Sequence, residues 1–100
     1  MEMSIETHFN DLEKQLEVNS TKLEKWSSNY FITHKKRYLE DIKLINKYFN
    51  TGQLLELGSA PYRLTFLMKR TNMNVIGVDI SPKRFQEFIT YNDLNIIKCA

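Results

Sequence analysis

The spacing of apolar residues divides the chain into two halves with different periods. In the first half, apolar side chains recur every three or four residues, as in helices that bury one face. A Thr-x-x-Glu sequence at residues 21–24 has the form of a capping box and predicts a short helix between two longer ones. We therefore predict a helical N-terminal segment over residues 1–52. Its two long apolar stripes are Ile5, Phe9, Leu12 and Leu16, then Tyr38, Ile42, Ile45 and Phe49.

From residue 53 onward, short apolar runs alternate with segments that have helical spacing. The runs at 54–57, 75–80 and 95–99 are too short for helices, and the second is rich in β-branched residues. Ser81 and Pro82 are typical of a helix start before the third run. This alternation predicts an α/β fold, with a Rossmann-like parallel sheet of three strands preceded by amphipathic helices.

The predicted sheet is half of a doubly wound one. The run at 54–57 is so apolar that we expect a strand covered on both faces. In the usual strand order a fourth strand pairs with this one, and without it the strand is an exposed edge. We therefore expect residues 53–100 to be the first half of a Rossmann-like domain, truncated or completed by a partner chain.

Composition excludes several classes of function. The 100 residues carry a net charge of +2, which is too small to indicate binding to nucleic acid or to an anionic membrane. No apolar run approaches the length of about 20 residues that a membrane helix needs. Cys99 is the only cysteine, so neither a disulfide nor a thiolate metal site is expected, and a cytoplasmic location is predicted. In its predicted strand, Cys99 is interpreted as a small buried apolar residue.

Two positions at the predicted strand ends suggest chemistry. Gly58 follows the first strand directly, where the backbone turns and a ligand can approach closely. Asp79 ends the second strand, at about the 20-residue spacing where an acid binds the ribose hydroxyls of a nucleotide. Glu56 is a carboxylate in an apolar strand and needs a hydrogen-bonding partner. The structural alternatives are a Glu56 ion pair with a lysine or arginine, a simple turn at Gly58, and an Asp79 that caps the following helix.

Residues 54–99 resemble the first half of a class I S-adenosylmethionine-dependent methyltransferase of the type 11-like group. The family motif is acid-x-Gly-x-Gly-x-Gly, and Glu56 and Gly58 match the acid and the first glycine. Ala60 and Tyr62 stand at the second and third glycine positions. Tyr62 is expected to have an ordinary backbone conformation and a ring near the pocket.

The resemblance implies binding of S-adenosyl-L-methionine and transfer of its methyl group to an acceptor that the sequence does not identify. It implies that Asp79 holds both ribose hydroxyls, that Ile80 packs on the adenine, and that Glu56 supports the loop and the cofactor's amino group. It also implies a lid over the cofactor from the segment around Tyr30 and Phe31, for which core packing is the alternative. The cofactor-binding residues expected in this way are Glu56, Gly58, Ser59, Ala60, Asp79 and Ile80. No catalytic residue is identified.

Two other functions remain open. An NAD(P)- or FAD-binding Rossmann domain needs glycines at positions 58, 60 and 63, and the last two are Ala60 and Arg63. A non-catalytic helical interaction module, or a truncated remnant, would instead use the amphipathic N-terminal helices for binding.

Overall fold

The computed structural model describes residues 4–18, 29–49 and 52–99. Its elements alternate as expected after two long helices, which confirms the predicted α/β class. A helical turn at 29–33 precedes the second long helix, and the helix predicted to start at residue 21 lies outside the described residues. In chain order the elements are α1 (Ile5–Val18), α2 (Lys35–Tyr48), β1 (Gln53–Leu57), α3 (Arg63–Arg70), β2 (Asn74–Asp79), a 3-10 helix (Pro82–Phe85), α4 (Gln86–Tyr91) and β3 (Ile96–Lys98).

The N-terminal helices form because their apolar stripes join the core. Helix α1 begins after Ser4, whose hydroxyl accepts the backbone N–H of Thr7 at 3.2 Å. Such a side-chain cap satisfies one of the free donors at a helix start. Phe31 is fully buried and stacks on Phe9 at 5.7 Å between ring centroids, so it packs in the core. Phe49 was expected on the buried stripe of α2 but is exposed, since α2 ends at Tyr48.

The three strands form one parallel sheet in the order β1-β2-β3. Leu54 lies beside Val75 and Glu56 beside Gly77 across the first pair. Strand β1 is therefore an edge strand of the sheet among the described residues, as the sequence predicted. The carboxyl ends of β1 and β2 lie side by side, which places the turn after β1 next to Asp79.

The two faces of this sheet differ in what covers them. Side chains alternate between the faces along each strand, and register partners share a face. We call the side that joins the core the covered face; helix α3 contacts β2, and α1 and α2 both pack against α3. We call the opposite side the bare face. The covered face carries Leu54, Glu56, Val75 and Gly77, and the bare face carries Leu55, Leu57, Ile76, Val78 and Ile97.

The prediction that β1 is covered on both faces is wrong. Leu55 is 61% exposed and Leu57 is 74% exposed, while Ile97 of β3 is 50% exposed on the same side. The physical reason is that the N-terminal helices stack on α3 and leave the opposite side of the sheet to solvent among the described residues.

Two predictions near the end of the chain also need correction. Strand β3 ends at Lys98 and Cys99 is exposed, so Cys99 is not a buried strand residue. Ser81 makes no side-chain cap bond, and the segment after it begins as a 3-10 helix at Pro82. The division at residue 52 stays a prediction. Among the described residues, none of the helices combines the length and the apolar character needed to cross a membrane.

Candidate functional site

The turn after β1 is tied to the end of β2 by main-chain hydrogen bonds. The N–H groups of Gly58 and Ser59 both donate to the carbonyl oxygen of Val78, at 2.9 and 3.2 Å. The N–H of Ala60 then donates to Asp79 Oδ2 at 2.9 Å. The glycine turn and the acid that the sequence singled out, far apart in the chain, therefore meet at the carboxyl edge of the sheet.

Gly58 has a backbone conformation that favours glycine. Its φ of +62° lies in the left-handed region, which side chains with a Cβ enter at a cost of about 1–2 kcal/mol. A Cβ placed on Gly58 would meet no atom within 4 Å, so the space above this residue is open. The turn thus needs glycine for its backbone and leaves room for a ligand to approach.

Gly77 supports the turn, although no role was predicted for it from the sequence. A Cβ at this position would lie 2.7 Å from both Ser59 Oγ and Ile96 Cδ1, which is shorter than any normal contact. Gly77 therefore lets the buried Ser59 dock against β2 and fixes the turn over the sheet. The available signal was a glycine inside a strand of β-branched residues, which often marks a close approach of another chain segment.

The Asp79 carboxylate accepts hydrogen bonds from several groups around it. Oδ2 accepts from the N–H of Ala60 and from the Tyr62 hydroxyl at 3.2 Å, and Oδ1 accepts from the N–H of Ile80 at 2.6 Å. Partial desolvation raises the pKa of Asp79, but the donors from Ile80, Ala60, Tyr62 and Ser81 outweigh it and lower the pKa below its ordinary value. Asp79 is therefore ionised at neutral pH and acts as an acceptor.

Tyr62 departs from the expected ordinary backbone. Its φ is +70°, so a tyrosine occupies the left-handed conformation at the third glycine position. Its ring is fully buried and meets the Phe85 ring edge to face, with 5.8 Å between the ring centroids, and its hydroxyl reaches Asp79. Burial first, then the charge of Asp79, raises the pKa of Tyr62, so the hydroxyl keeps its proton. Tertiary contacts hold this strained residue, which sequence preference alone does not predict.

Glu56 points to the covered face, where its hydrogen-bonding partner is a residue that was not predicted from the sequence. The Thr65 hydroxyl, fully buried in α3, donates to Glu56 Oε1 at 2.9 Å, so the partner expected for Glu56 is a threonine. Burial raises the pKa of Glu56 to about 7, against a smaller lowering by the Thr65 hydrogen bond. The other oxygen, Oε2, is buried and has no hydrogen-bond partner among the described residues. In the sequence, the only indication of this partner was a threonine on the apolar face of a predicted helix.

The remaining predicted residues lie in different surroundings. Ile80 is 71% exposed directly after Asp79, where its side chain is free to pack on a planar group. Arg63, at the start of α3, is buried with its guanidinium 4.4 Å from the Phe88 ring centroid. Tyr30 is partly exposed and stacks on His34 at 4.1 Å.

The arrangement suits binding of a polar ligand at the strand ends. It combines an ionised acceptor at Asp79, open space at Gly58 and an exposed apolar side chain at Ile80. No family model matches the chain, and neither a curated protein nor a solved structure is significantly similar to it.

Proposed function

We propose that this chain binds S-adenosyl-L-methionine as the cofactor-binding part of a methyltransferase. The observation that carries the proposal is the hydrogen bond from the Ala60 N–H to Asp79 Oδ2. It joins the glycine turn and the acid at the carboxyl edge of a parallel sheet, which is where such sheets bind nucleotides.

The residues around this bond fit the cofactor. Asp79 offers a carboxylate to the ribose hydroxyls, and exposed Ile80 offers an apolar surface to the adenine. The open space above Gly58 accommodates the part of the ligand next to the ribose. Glu56 Oε2, buried and without a hydrogen-bond partner among the described residues, is an acceptor for an amino group. For the ribose to bind, the Tyr62 hydroxyl must either share Asp79 Oδ2 with a ribose hydroxyl or give up its hydrogen bond to this oxygen.

The chemistry of methyl transfer asks mainly for positioning. The sulfonium of S-adenosylmethionine supplies an already activated methyl group when the cofactor is bound. This chain's residues would contribute orientation: Asp79 and Ile80 hold the nucleoside end, and Gly58 sets the path of the backbone beside it. The methyl acceptor and a general base are not identified by these residues.

Calorimetry on the full chain tests the proposal directly. S-adenosylhomocysteine should bind, and NAD should bind more weakly or not at all, since Arg63 fills the third glycine position of the dinucleotide fingerprint with a buried side chain. The Asp79→Asn substitution should weaken the binding of S-adenosylhomocysteine by about 1–3 kcal/mol, which is the usual loss when hydrogen bonds to a charged group are removed.

Asp93→Asn is the matched control. Asp93 precedes β3 at the opposite end of the sheet, and its carboxylate is fully exposed. This variant should bind as the unaltered chain does. Equal affinity of the Asp79→Asn variant and the unaltered chain would contradict the assigned site, and tighter binding of NAD would favour the dinucleotide alternative.

The bare face supports a second, separate role in association. Leu55 and Leu57 form an apolar surface beside the unpaired edge of β1 among the described residues, and Ile97 of β3 extends this surface across the same face. An apolar face next to free strand hydrogen-bonding groups is where an added strand gains both kinds of contact. A partner chain that completes the sheet therefore stays a prediction. Sedimentation velocity over a range of concentrations tests the case in which the partner is a second copy.

A further inference from the structure

The hydrogen-bonding capacity of Asp79 is nearly filled by groups of the chain itself. A carboxylate offers about four lone-pair positions. Three are used by the N–H groups of Ala60 and Ile80 and by the Tyr62 hydroxyl, and the N–H of Ser81 is a further donor to this carboxylate. A vicinal diol needs two acceptor positions, so a ribose and the present donors cannot all be accommodated together.

The donors differ in how readily they can move. The N–H of Ala60 belongs to a turn whose neighbouring N–H groups, on Gly58 and Ser59, are bonded to β2. The N–H of Ile80 is adjacent to Asp79 in the chain and keeps its place with it. The Tyr62 hydroxyl can turn its proton away from Asp79 by rotation about the C–O bond while the ring stays in place, and it makes the longest of these three bonds, at 3.2 Å. Tyr62 is thus the donor that can be displaced.

The backbone of Tyr62 holds this hydroxyl in position. Its N–H donates to the carbonyl of Ser59 at 2.7 Å, and its own carbonyl accepts the N–H of Phe66 at 3.0 Å at the start of α3. The ring is fully buried beside Phe85. Because main chain and ring are both anchored, the hydroxyl points to Asp79 at little further entropic cost.

We propose that the Tyr62 hydroxyl competes intramolecularly with a ribose diol for Asp79, so that Tyr62 sets the affinity of this site for nucleosides. The ligand class is a nucleoside with free 2′ and 3′ hydroxyls. This inference rests on the proposed function and adds a residue that limits binding where the other site residues promote it.

Tyr62→Phe is the decisive variant, since it removes the hydroxyl and keeps the ring. S-adenosylhomocysteine and adenosine should bind it about tenfold more tightly than they bind the unaltered chain, because a charge-assisted hydrogen bond no longer has to be broken. The affinity of 2′,3′-dideoxyadenosine, which lacks the diol, should change less than twofold. Isothermal calorimetry measures all three ligands.

A second readout needs no ligand. The pKa of Asp79, followed by the carbon-13 shift of its carboxyl group, should be higher in Tyr62→Phe because one donor to the ionised form is lost. Tyr91→Phe is the control, since Tyr91 is an exposed tyrosine of α4, and it should change neither the affinities nor the pKa of Asp79.

The outcomes separate this inference from the proposed function. If the unaltered chain binds S-adenosylhomocysteine and Tyr62→Phe binds it equally or more weakly, the competition is refuted and the function stands. If neither protein binds any adenosine ligand, both fail. Should Tyr62→Phe not fold, the unaltered chain with carbon-13-labelled tyrosine provides the test by NMR. The chemical shift of the Tyr62 ring carbons should change when adenosine is added and not when the dideoxy analogue is added. Equal shifts with both ligands would overturn the proposal.

Discussion

The two faces of the sheet carry similar apolar side chains in opposite environments. Leu54 and Val75 on the covered face join a core shared with α1, α2 and α3, whereas Leu55 and Leu57 on the bare face are exposed. Neighbouring residues of one strand thus have different energetic roles. What decides the difference is where the helices pack and not how apolar the strand is.

The polar groups of the candidate site depend on the covered face. Glu56 is bonded to Thr65 beneath the sheet, and Gly77 admits Ser59 from the turn above it. No bare-face side chain takes part in these bonds among the described residues. The covered face therefore both stabilises the fold and builds the site, while the bare face is available for other contacts.

A matched pair of leucine truncations should show the largest contrast. Leu67→Ala removes a fully buried side chain of α3 and should lower the free energy of unfolding by about 2–5 kcal/mol, from lost burial and the cavity left behind. Leu57→Ala makes the same chemical change on the bare face and should lower it by less than about 0.5 kcal/mol. Urea unfolding measures both. Similar losses would show that the bare face is buried in solution.

Glu56→Gln should change how stability depends on pH. The unfolded chain releases the Glu56 proton near the ordinary glutamate pKa of 4.5, and the folded chain keeps it to about pH 7. The folded form therefore binds more protons in this window, and its stability falls as pH rises through it. The glutamine variant lacks this loss. Relative to it, the unaltered chain should lose up to about 3 kcal/mol between pH 4.5 and 8.

Urea unfolding at several pH values measures this effect. Glu87→Gln, a surface substitution on α4, reports any general consequence of removing one negative charge. If the stability difference between the unaltered chain and Glu56→Gln is constant from pH 4.5 to 8, Glu56 is not buried in the way described. The covered face would then not differ from the bare face by burying a carboxylate.

The smallest effect is expected for polar substitutions on the bare face. Leu55→Gln and Ile97→Gln should each leave the free energy of unfolding within about 0.5 kcal/mol, because their side chains are already largely exposed. Binding of a dye that reports exposed apolar surface should fall in both variants. A destabilisation above about 2 kcal/mol would show that this face has a covering in solution.

Much of the fold could be predicted because it depends on local pattern. The stripe of α1 and the β-branched residues of β2 gave element types that the structure confirms, and their alternation gave the parallel sheet. The exposure of Leu57 and the end of β3 before Cys99 were not predictable in this way. The sequence pattern around an apolar strand residue is the same whether or not a helix covers that residue, since coverage depends on distant segments.

Some residues of the candidate site could likewise be predicted from the sequence, and others could not. Spacing indicated Gly58 and Asp79, and the structure brings their segments within hydrogen-bonding distance. Thr65 and Gly77 support the site through contacts between separate elements, and their sequence signals were weak. The assignment of S-adenosylmethionine as the ligand stays a proposal.

The sequence by itself determined the class of fold, the alternation of its strands and helices, and that Gly58 and Asp79 stand at the ends of neighbouring strands. These follow from side-chain periodicity and chain direction, which are local properties. Only the tertiary structure decided which sheet face is covered and that Tyr62 takes a left-handed backbone with its hydroxyl on Asp79. Such features arise because packing around a residue can outweigh about 1–3 kcal/mol of local strain.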